Sequence, residues 1–354
     1  MPSGVEPPAG GLQQRLSRAL QRQWWIEPPT PTARGLRLLA GPYGLLVKLH
    51  RRLGRPQRVE VPVIVVGNLI VGGAGKTPTT IAVVRLLRAF GWHPGVVSRG
   101  HGRRGHGVVA VSRDSRASEC GDEPLLIRLR TGMPVMVGRD RVAAARALLA
   151  AYPQVDIVVA DDGLQHHRLA RDLQIVVFDE RGAGNGLLLP AGPLREPLPA
   201  QMPPATLVLY NAQRASTPLP GWRATGRLNG VLPLADWWQG NSPPPGSWQP
   251  LRRVPLLAAA GMAAPERFFA MLKEHGLRQL KTLPLPDHHP FDALPWPAGT
   301  ADVIVTEKDA VKLRPEMLAH AGQATRIWVA PLDFEPEVAF AAALKRHFPH
   351  PPKH

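Results

Sequence analysis

The chain has one cysteine, Cys120, among its 354 residues, so it forms neither an intramolecular disulfide nor a cluster of thiolate metal ligands. This shortage predicts a reducing compartment. No apolar run approaches the roughly 20 residues that a membrane-spanning helix needs, and the N-terminus lacks the basic start and apolar core of a signal peptide. We therefore expect a protein that stays on the cytoplasmic side and does not cross a bilayer.

Acidic residues are scarce, with 27 Asp+Glu against 43 Lys+Arg and a formal net charge of +16. Such an excess favours an anionic partner: a nucleic acid, a phosphorylated substrate or an acidic membrane surface. A genome-wide compositional bias would also enrich Arg, Ala and Pro, so the net charge alone does not identify the partner. The length allows two domains, and a hydrophobic content of 44% predicts a real core.

Short apolar runs alternate with helical patterns along the middle of the chain. This rhythm predicts an α/β fold of the P-loop NTPase type, with a mostly parallel sheet, helices on both faces and ligands at the carboxyl ends of the strands. The predicted strands are 61–66, 95–98, 108–111, 134–137, 155–160, 173–178 and 206–210, and the helices are 79–90, 122–131 and 139–151. A smaller C-terminal α/β segment repeats the pattern, with strands at 254–259 and 303–305 and helices at 264–275 and 308–313.

Pro, Gly and Trp interrupt the periodicity over 214–250, which predicts the crossing between two domains. The predicted organisation is an N-terminal region, a P-loop core, a linker and a smaller C-terminal α/β domain, at 1–55, 56–213, 214–250 and 251–354. In the first region, 11–25 and 35–53 have apolar residues on one side and basic residues around them. Such helices lie on an anionic membrane, or they pack on the core.

The segment 61–80 reads VPVIVVGNLIVGGAGKTPTT and predicts a strand, a glycine loop and the start of a helix. Glycines let backbone N–H groups surround phosphate oxygens, a lysine reaches the β and γ oxygens, and a neighbouring hydroxyl can bind Mg²⁺. The usual pattern has a glycine six residues before the lysine, where this chain has Ile70. The rest of the loop still predicts a nucleoside triphosphate site, made by Gly72, Gly73, Ala74, Gly75, Lys76, Thr77 and Pro78.

Two adjacent carboxylates, Asp161 and Asp162, follow the apolar run 155–160 directly. In a P-loop protein, this is where an acidic residue holds Mg²⁺. The loop after the run 95–98 carries Arg99 among glycines and suits a position near phosphate. Taken alone, Asp122 in the segment GDEP is best explained as a helix cap.

Six motifs in this order resemble the tetraacyldisaccharide 4'-kinase family, the lipid A 4'-kinases: VGNLIVGGAGKTP, SRGHG, GDEPLL, DDGLQHHRLARDL, LLPAGPLREP and TEKDAVKL. The resemblance covers most of the chain, and that family also has an unusually long P-loop. It implies Mg²⁺-dependent transfer of the γ-phosphoryl group of ATP to the 4'-hydroxyl of a tetraacyl glucosamine disaccharide 1-phosphate, giving lipid IVA. It also implies peripheral attachment of the N-terminal segment to the cytoplasmic face of the bacterial inner membrane.

The same resemblance implies roles for individual residues. Asp122 is expected to be the catalytic base, supported by His288 or the adjacent His289, with His288 the better match. Lys76 is expected to hold the β and γ phosphates. Substrate or phosphoryl contacts are expected from Arg99, His101, Glu123, Gln165, His166, Arg195 and Glu196, and Mg²⁺ ligation from Thr77 with Asp161 or Asp162. The family commonly has Tyr where this chain has His101, so the resemblance carries no stacking contact to that position.

Two other classes of function compete with this one. A P-loop GTPase or metallochaperone needs a guanine-reading Asn/Thr-Lys-x-Asp, and the segment TEKD at 306–309 is one residue out of register. A nucleic-acid-binding protein would use the positive charge but would leave the paired carboxylates beside a P-loop unexplained. We therefore expect a lipid disaccharide 1-phosphate and an anionic membrane surface as partners, with no nucleic acid and no obligate protein partner.

Overall fold

Buried apolar runs form most of the strands in the computed structural model, which describes residues 20–316 and 325–351. The strands are β1 (Val63–Gly67), β2 (Pro94–Ser98), β3 (Val109–Val111), β4 (Val135–Val137), β5 (Ile157–Asp161), β6 (Leu173–Asp179), β7 (Thr206–Asn211), β8 (Trp222–Leu228), β9 (Leu232–Pro233), β10 (Leu256–Ala260), β11 (Leu280–Pro284), β12 (Asp302–Thr306), β13 (Arg326–Ala330) and β14 (Leu332–Pro336). The first seven begin and end within two residues of their predicted bounds.

Helices lie between these strands or flank them. They include α1 (Pro31–Leu53), α2 (Lys76–Ala89), α3 (Ala117–Cys120), α4 (Asp122–Thr131), α5 (Arg141–Ala151), α6 (Leu234–Gln239), α7 (Pro265–Glu274), α8 (Glu307–Ala310) and α9 (Val338–His347). The predicted segment 35–53 forms part of α1. Of the predicted helix over 11–25, residues 11–19 lie outside the described part of the chain. Within the described ranges, no helix has the length and apolar character to cross a membrane.

The large sheet has nine strands in the order β14-β8-β7-β6-β1-β5-β2-β4-β3. The strands from β8 to β4 run parallel, and the two edge strands are antiparallel to their neighbours. Parallel strands end at the same edge of a sheet, so the loop after β1 lies beside the ends of β5 and β6. This arrangement places the phosphate loop next to Asp161.

Successive residues of β1 point into two different cores. Ile64 and Val66 pack with the apolar faces of α2 and α4, and Val63 and Val65 pack with residues of α5 on the opposite face. Helices therefore cover both faces of the large sheet, as the alternating pattern predicts for buried parallel strands. The predicted fold class is confirmed.

The second sheet has the order β11-β10-β12-β13-β9, with four parallel strands and β9 antiparallel at one edge. Its residues Ala259, Val303 and Val305 belong to the same core as α2 and α4, so the two sheets share apolar contacts. The other face is covered by α7, whose Phe268 and Leu272 pack with β10.

The two sheets exchange strands, which the sequence did not indicate. The predicted linker 214–250 contains β8, a strand of the large sheet, together with β9 of the second sheet and α6. From the predicted C-terminal domain, β14 returns to pair with β8 in the large sheet, with Leu332 opposite Leu228. The division of the chain into domains stays a prediction, but the sheets do not follow its boundaries.

A buried ion pair joins α4 to the segment that follows β12. The Arg130 guanidinium contacts Glu307, and its second nitrogen lies 3.2 Å from Asp333 Oδ1. Glu307 also accepts hydrogen bonds from Trp237 Nε1 at 2.9 Å and from the backbone N–H of Leu332 at 3.0 Å. Removing the arginine would leave a buried carboxylate without its charge partner, which is strongly destabilising.

We expect Arg130→Met to lower the free energy of unfolding by about 3 kcal/mol, measured by urea denaturation. The matched control is Arg128→Met on the same helix, because Arg128 donates to two backbone carbonyls, those of Gly132 and Met133, rather than to a buried carboxylate. The control should lose about 1 kcal/mol. Equal losses for the two variants would mean that the buried ion pair does not stabilise the join.

Candidate active site

The phosphate loop lies between β1 and α2. Gly75 precedes the helix with φ of 91°, in the left-handed region that favours glycine, and a Cβ there would lie 2.4 Å from Asn211 Nδ2. Lys76 is the first residue of α2, and its ammonium lies 3.4 Å from Asn68 Oδ1. Asn68 Nδ2 in turn donates to the carbonyl of Gly72 at 3.1 Å, so one side chain contacts both ends of the loop.

Ile70, which replaces the expected glycine of the loop, is fully buried. It forms an antiparallel bridge with Leu194, and the N–H of Val71 donates to the carbonyl of Pro193 at 2.9 Å. The first half of the long loop is therefore a packed segment, and only the part from Gly72 onward is free to surround a phosphate. An isoleucine therefore suits this position because its side chain is buried and its backbone is paired with the segment of Leu194.

Asp161 ends β5 with its side chain fully buried. It accepts hydrogen bonds from Thr80 Oγ1 at 2.8 Å and from Ser98 Oγ at 3.3 Å. Burial, followed by the charges of Glu123 and Asp162, raises the pKa of Asp161 to about 7. A buried carboxylate with acidic neighbours favours the approach of a cation.

Asp162 adopts φ of 48°, and this left-handed turn points its carboxylate toward the phosphate loop. Its Oδ1 lies 3.1 Å from Lys76 Nζ and 3.7 Å from Arg195 Nη1. Burial acts to raise the pKa of Asp162, but Lys76 and Arg195 outweigh it and the pKa is lowered. Asp162 therefore stays ionised and holds the loop lysine in place.

Asp122 and His288 meet across the two sheets. Asp122 is the first residue of α4, and its Oδ2 lies 2.8 Å from Nδ1 of His288, in the loop after β11. The hydrogen bond to Asp122 raises the pKa of His288. Burial acts to raise the pKa of Asp122, but His288 and Lys308 lower it overall, so this buried carboxyl stays ionised.

The two motifs GDEP and SRGHG are in contact. A Cβ on Gly121, which has φ of 95°, would come within 3.1 Å of the backbone of Gly100 and His101. The His101 ring lies 5.4 Å from that of His288, centroid to centroid. Of the two adjacent histidines, His288 faces Asp122, whereas His289 accepts from the N–H of Phe291 within its own loop.

Arg195 and Glu196 form a second polar group beside the phosphate loop. Arg195 Nη1 donates to Gln165 Oε1 at 3.1 Å, and Gln165 Nε2 donates to Glu196 Oε1 at 3.3 Å. The carbonyl of Arg195 accepts from the hydroxyl of Tyr43 on α1 at 3.2 Å. The N-terminal helix therefore contacts the segment that carries Arg195.

A cavity of about 470 Å³ joins the two groups of residues. Strand ends of both sheets surround it, so ligands have access to the large sheet on one side and to α7 and α8 on the other. The predicted residues that line it are Gly72, Gly73, Gly75, Lys76, Thr77, Pro78, His101, Glu123, Asp162, Arg195 and His288. Asp122 and Gln165 hydrogen-bond to the lining residues His288 and Arg195. Glu196 hydrogen-bonds to Gln165, and the buried Asp161 directly precedes the lining residue Asp162 at the end of β5.

Four of the seven predicted substrate or phosphoryl contacts do not line the cavity: Arg99, Gln165, His166 and Glu196. Arg99 is exposed on the loop after β2. Nε2 of His166 accepts from the backbone N–H of Arg141 at 3.3 Å, at the start of α5, so this ring faces a helix terminus. Burial, with Arg141 next in importance, lowers the pKa of His166 to about 4.

The structure also brings in residues that the sequence did not single out as part of the site. Asn211, at the end of β7, lies against Gly75 and accepts from Arg267 Nη2 at 3.2 Å. Lys308 and Asp287 line the cavity on the second-sheet side. A polar residue at the end of a buried strand was the available signal for Asn211, but such residues are common.

The chain matches known proteins along most of its length. The profile of the family described as Tetraacyldisaccharide-1-P 4'-kinase matches residues 32–349. A protein of Methylibium petroleiphilum named Tetraacyldisaccharide 4'-kinase is 57% identical, covering 96% of each chain, and a protein of the same name from Leptothrix cholodnii is 52% identical, covering 96% of this chain and 97% of the other.

A solved structure shares the fold. The crystal structure described as the "apo" form of LpxK from Aquifex aeolicus in complex with ATP superposes with a TM-score of 0.72. It covers 90% of this chain and 99% of that chain, at 24% sequence identity.

The low pKa of His166 predicts a pH dependence of stability. Between the ordinary pKa of 6.5 and about 4, the unfolded chain binds a proton that the folded protein does not, so the free energy of unfolding should fall as the pH falls through this window. His166→Asn should remove part of that fall, measured by urea denaturation at about pH 7.5 and about pH 5. The exposed His106→Asn variant should keep the wild-type dependence; identical behaviour of the two variants would contradict the buried contact.

Proposed function

The chain belongs to the tetraacyldisaccharide 1-phosphate 4'-kinase family, and we propose how its cavity performs that family's reaction. The chain is a kinase of lipid A biosynthesis that phosphorylates the 4' position of a tetraacyl disaccharide 1-phosphate. The observation that carries the mechanism is one cavity lined by both the phosphate loop and His288. Neither a GTPase or metallochaperone nor a nucleic-acid-binding protein is supported.

The donor in this proposal is ATP, bound at the phosphate loop. Gly72, Gly73 and Gly75 leave backbone N–H groups free to approach phosphate oxygens at the start of α2, where the helix dipole favours negative charge. Lys76 exchanges part of its contact with Asp162 for the β and γ oxygens. Asn211 supports the loop from behind through its contact with Gly75.

The acceptor is the 4'-hydroxyl of the sugar, placed beside Asp122. This carboxylate takes the hydroxyl proton while the hydroxyl oxygen forms a bond to the γ phosphorus, and the bond between that phosphorus and the bridging oxygen breaks to release ADP. His288 holds the carboxylate in position through the 2.8 Å contact. Lys76 and Arg195, both close to Oδ1 of Asp162, supply positive charge to the transferring group.

Mg²⁺ fits the donor side of the cavity. Within the described residues, no three His, Cys, Asp or Glu side chains form a metal site by themselves. That is expected of Mg²⁺, which takes one or two carboxylates and completes its shell with water and substrate phosphates. Asp161, buried among acidic neighbours, and Asp162 are hard oxygen donors, and Thr77 contributes a hydroxyl in the first turn of α2. When bound there, Mg²⁺ neutralises charge on the phosphates.

The acyl chains of the substrate imply a membrane surface, and α1 has the character to bind one. Its small residues Ala33 and Ala40 are buried, and a Cβ added to Gly44 would lie 3.1 Å from Cδ1 of Leu188. The leucines on its other sides are exposed rather than packed on the core: Leu38, Leu39, Leu45, Leu46, Leu49 and Leu53. Arg34, Arg37, Lys48, Arg51 and Arg52 lie among them on the same helix.

These features support a peripheral helix at an anionic bilayer, with leucines in the interface and basic residues at the headgroups. We place the protein on the cytoplasmic face of the inner membrane, because ATP is supplied on that side. Tyr43 of α1 contacts Arg195, so the same helix that meets the membrane lies beside the phosphate loop.

Transfer of labelled γ-phosphate from Mg·ATP to a tetraacyl disaccharide 1-phosphate, separated by thin-layer chromatography, tests this mechanism. Asp122→Asn should lower kcat about a hundredfold or more, because the hydroxyl loses its base, while the Kd for ATP stays within about twofold of wild type. Asp114→Asn, in an exposed loop, is the control and should retain full activity. Absence of transfer by folded wild-type protein would overturn the function, and equal loss of ATP binding and turnover would make Asp122 structural.

The membrane proposal has its own test with vesicles that contain anionic phospholipid. Replacing Leu38, Leu45 and Leu46 together by Asn should release the protein from sedimenting vesicles, because three exposed apolar side chains no longer enter the interface. Val338→Asn, at an exposed valine of α9, is the control and should leave binding unchanged. Circular dichroism checks that the fold persists. Undiminished sedimentation of the triple variant would refute membrane binding through α1.

A further inference from the structure

The segment Thr306-Glu307-Lys308-Asp309 lies where β12 ends and α8 begins, on the second-sheet side of the cavity. Two of its side chains fix the turn. Thr306 Oγ1 donates to Asp309 Oδ2 at 2.7 Å and accepts from the N–H of Asp309 at 3.2 Å, and the same Oδ2 accepts from the N–H of Gly261 at 3.0 Å. The turn is therefore anchored to the end of β10.

A third side chain of the segment ties it to the large sheet. Glu307 contacts Arg130 near the C-terminal end of α4, the helix whose first two residues are Asp122 and Glu123. The turn after β12 is thus docked along the helix that carries the proposed base. Lys308, the remaining residue, extends toward the opposite end of that helix.

The ammonium group of Lys308 lies among side chains from both sheets. It is 3.1 Å from Asp287 Oδ1, 3.5 Å from Glu123 Oε1 and 3.5 Å from Nε2 of His288. An ammonium group only donates hydrogen bonds, so in the neutral ring Nε2 is the acceptor at this contact. The neutral ring then carries its hydrogen on Nδ1, where Asp122 Oδ2 accepts it at 2.8 Å.

Neighbouring Lys312 shows what a purely structural lysine looks like here. Its side chain is 6% exposed and is paired with the fully buried carboxylate of Asp309 at 3.0 Å. The side chain of Lys308 is 23% exposed and lines the cavity. A cation needed only to neutralise Asp287 and Glu123 would not have to contact the free nitrogen of the histidine or face the ligand space.

We propose that Lys308 is a positioning residue of the phosphoryl transfer: by donating to Nε2 of His288, it holds the imidazole ring against Asp122. This inference rests on the proposed function, in which Asp122 accepts the hydroxyl proton. Lys308 touches neither that proton nor the carboxylate oxygen that receives it. It acts through His288.

The charge around the Asp122–His288 pair comes from several elements. The groups that face it are Glu123 on α4, Asp287 in the loop of His288, Lys308 and Lys312 after β12, His101 after β2 and Cys120 before α4. Removing the positive charge of Lys308 makes a proton on the pair more favourable, whichever partner holds it. The pair should then stay protonated to a higher pH.

The test compares Lys308→Met, Lys308→Arg and Lys281→Met, the last an exposed lysine on β11. For Lys308→Met we expect kcat to fall roughly tenfold at neutral pH, the Kd for ATP to stay within about twofold, and the acidic limb of kcat/KM against pH to move up by about one unit. Lys308→Arg keeps the charge and should return the limb toward its wild-type position. Lys281→Met should match wild type in every measurement.

Nitrogen NMR of the His288 ring gives a readout that does not depend on activity. In wild type, the neutral ring should carry its hydrogen on Nδ1, facing Asp122; in Lys308→Met, the titration midpoint of the ring should rise by about one unit. An unchanged midpoint in Lys308→Met would overturn the proposal, even if kcat fell. Absence of transfer by wild-type protein would count against the proposed function instead, and the NMR titration would still decide the role of Lys308.

Discussion

The 2.8 Å contact between Asp122 Oδ2 and His288 Nδ1 is the interaction on which the proposed mechanism depends, because α4 supplies one partner and the loop after β11 supplies the other. A buried carboxylate is costly unless it is paired and hydrogen-bonded. Asp122 meets that requirement through a residue 166 positions away in the chain. The proposed acceptor side of the site therefore requires the second sheet to lie against α4.

Several interactions hold the sheets in that relation. Arg130 and Glu307 form a buried ion pair at one end of α4, while Lys308 and Glu123 meet at the other. The exchange of strands adds a topological constraint, since β14 returns to the large sheet immediately after β13 has completed its pairing in the second. The chain thus crosses between the sheets more than once. This connectivity disfavours independent movement of the two sheets as separate domains.

Much of the large sheet could be predicted because its central strands are buried on both faces and read as continuous apolar runs. Edge strands are different: β14 alternates polar and apolar residues, and its partner β8 lies more than 100 residues earlier, so local periodicity did not reveal the pair. The phosphate loop and the carboxylates at the end of β5 were visible as local motifs.

The contact between Asp122 and His288 was expected only through the family resemblance, since no local sequence pattern encodes a pairing over that separation. The orientation of the His166 ring depends on the turn after β5. The sequence could not predict whether either of the adjacent residues His166 and His167 would face the cavity.

The most direct test of a shared site made by both sheets is a double-mutant cycle on kcat with Asp122→Asn, His288→Asn and the double variant. If the two residues act as one unit, the double variant should be about as slow as the slower single variant. Multiplicative losses, with the two effects adding in free energy, would show that Asp122 and His288 act independently and would contradict a catalytic site completed by their contact.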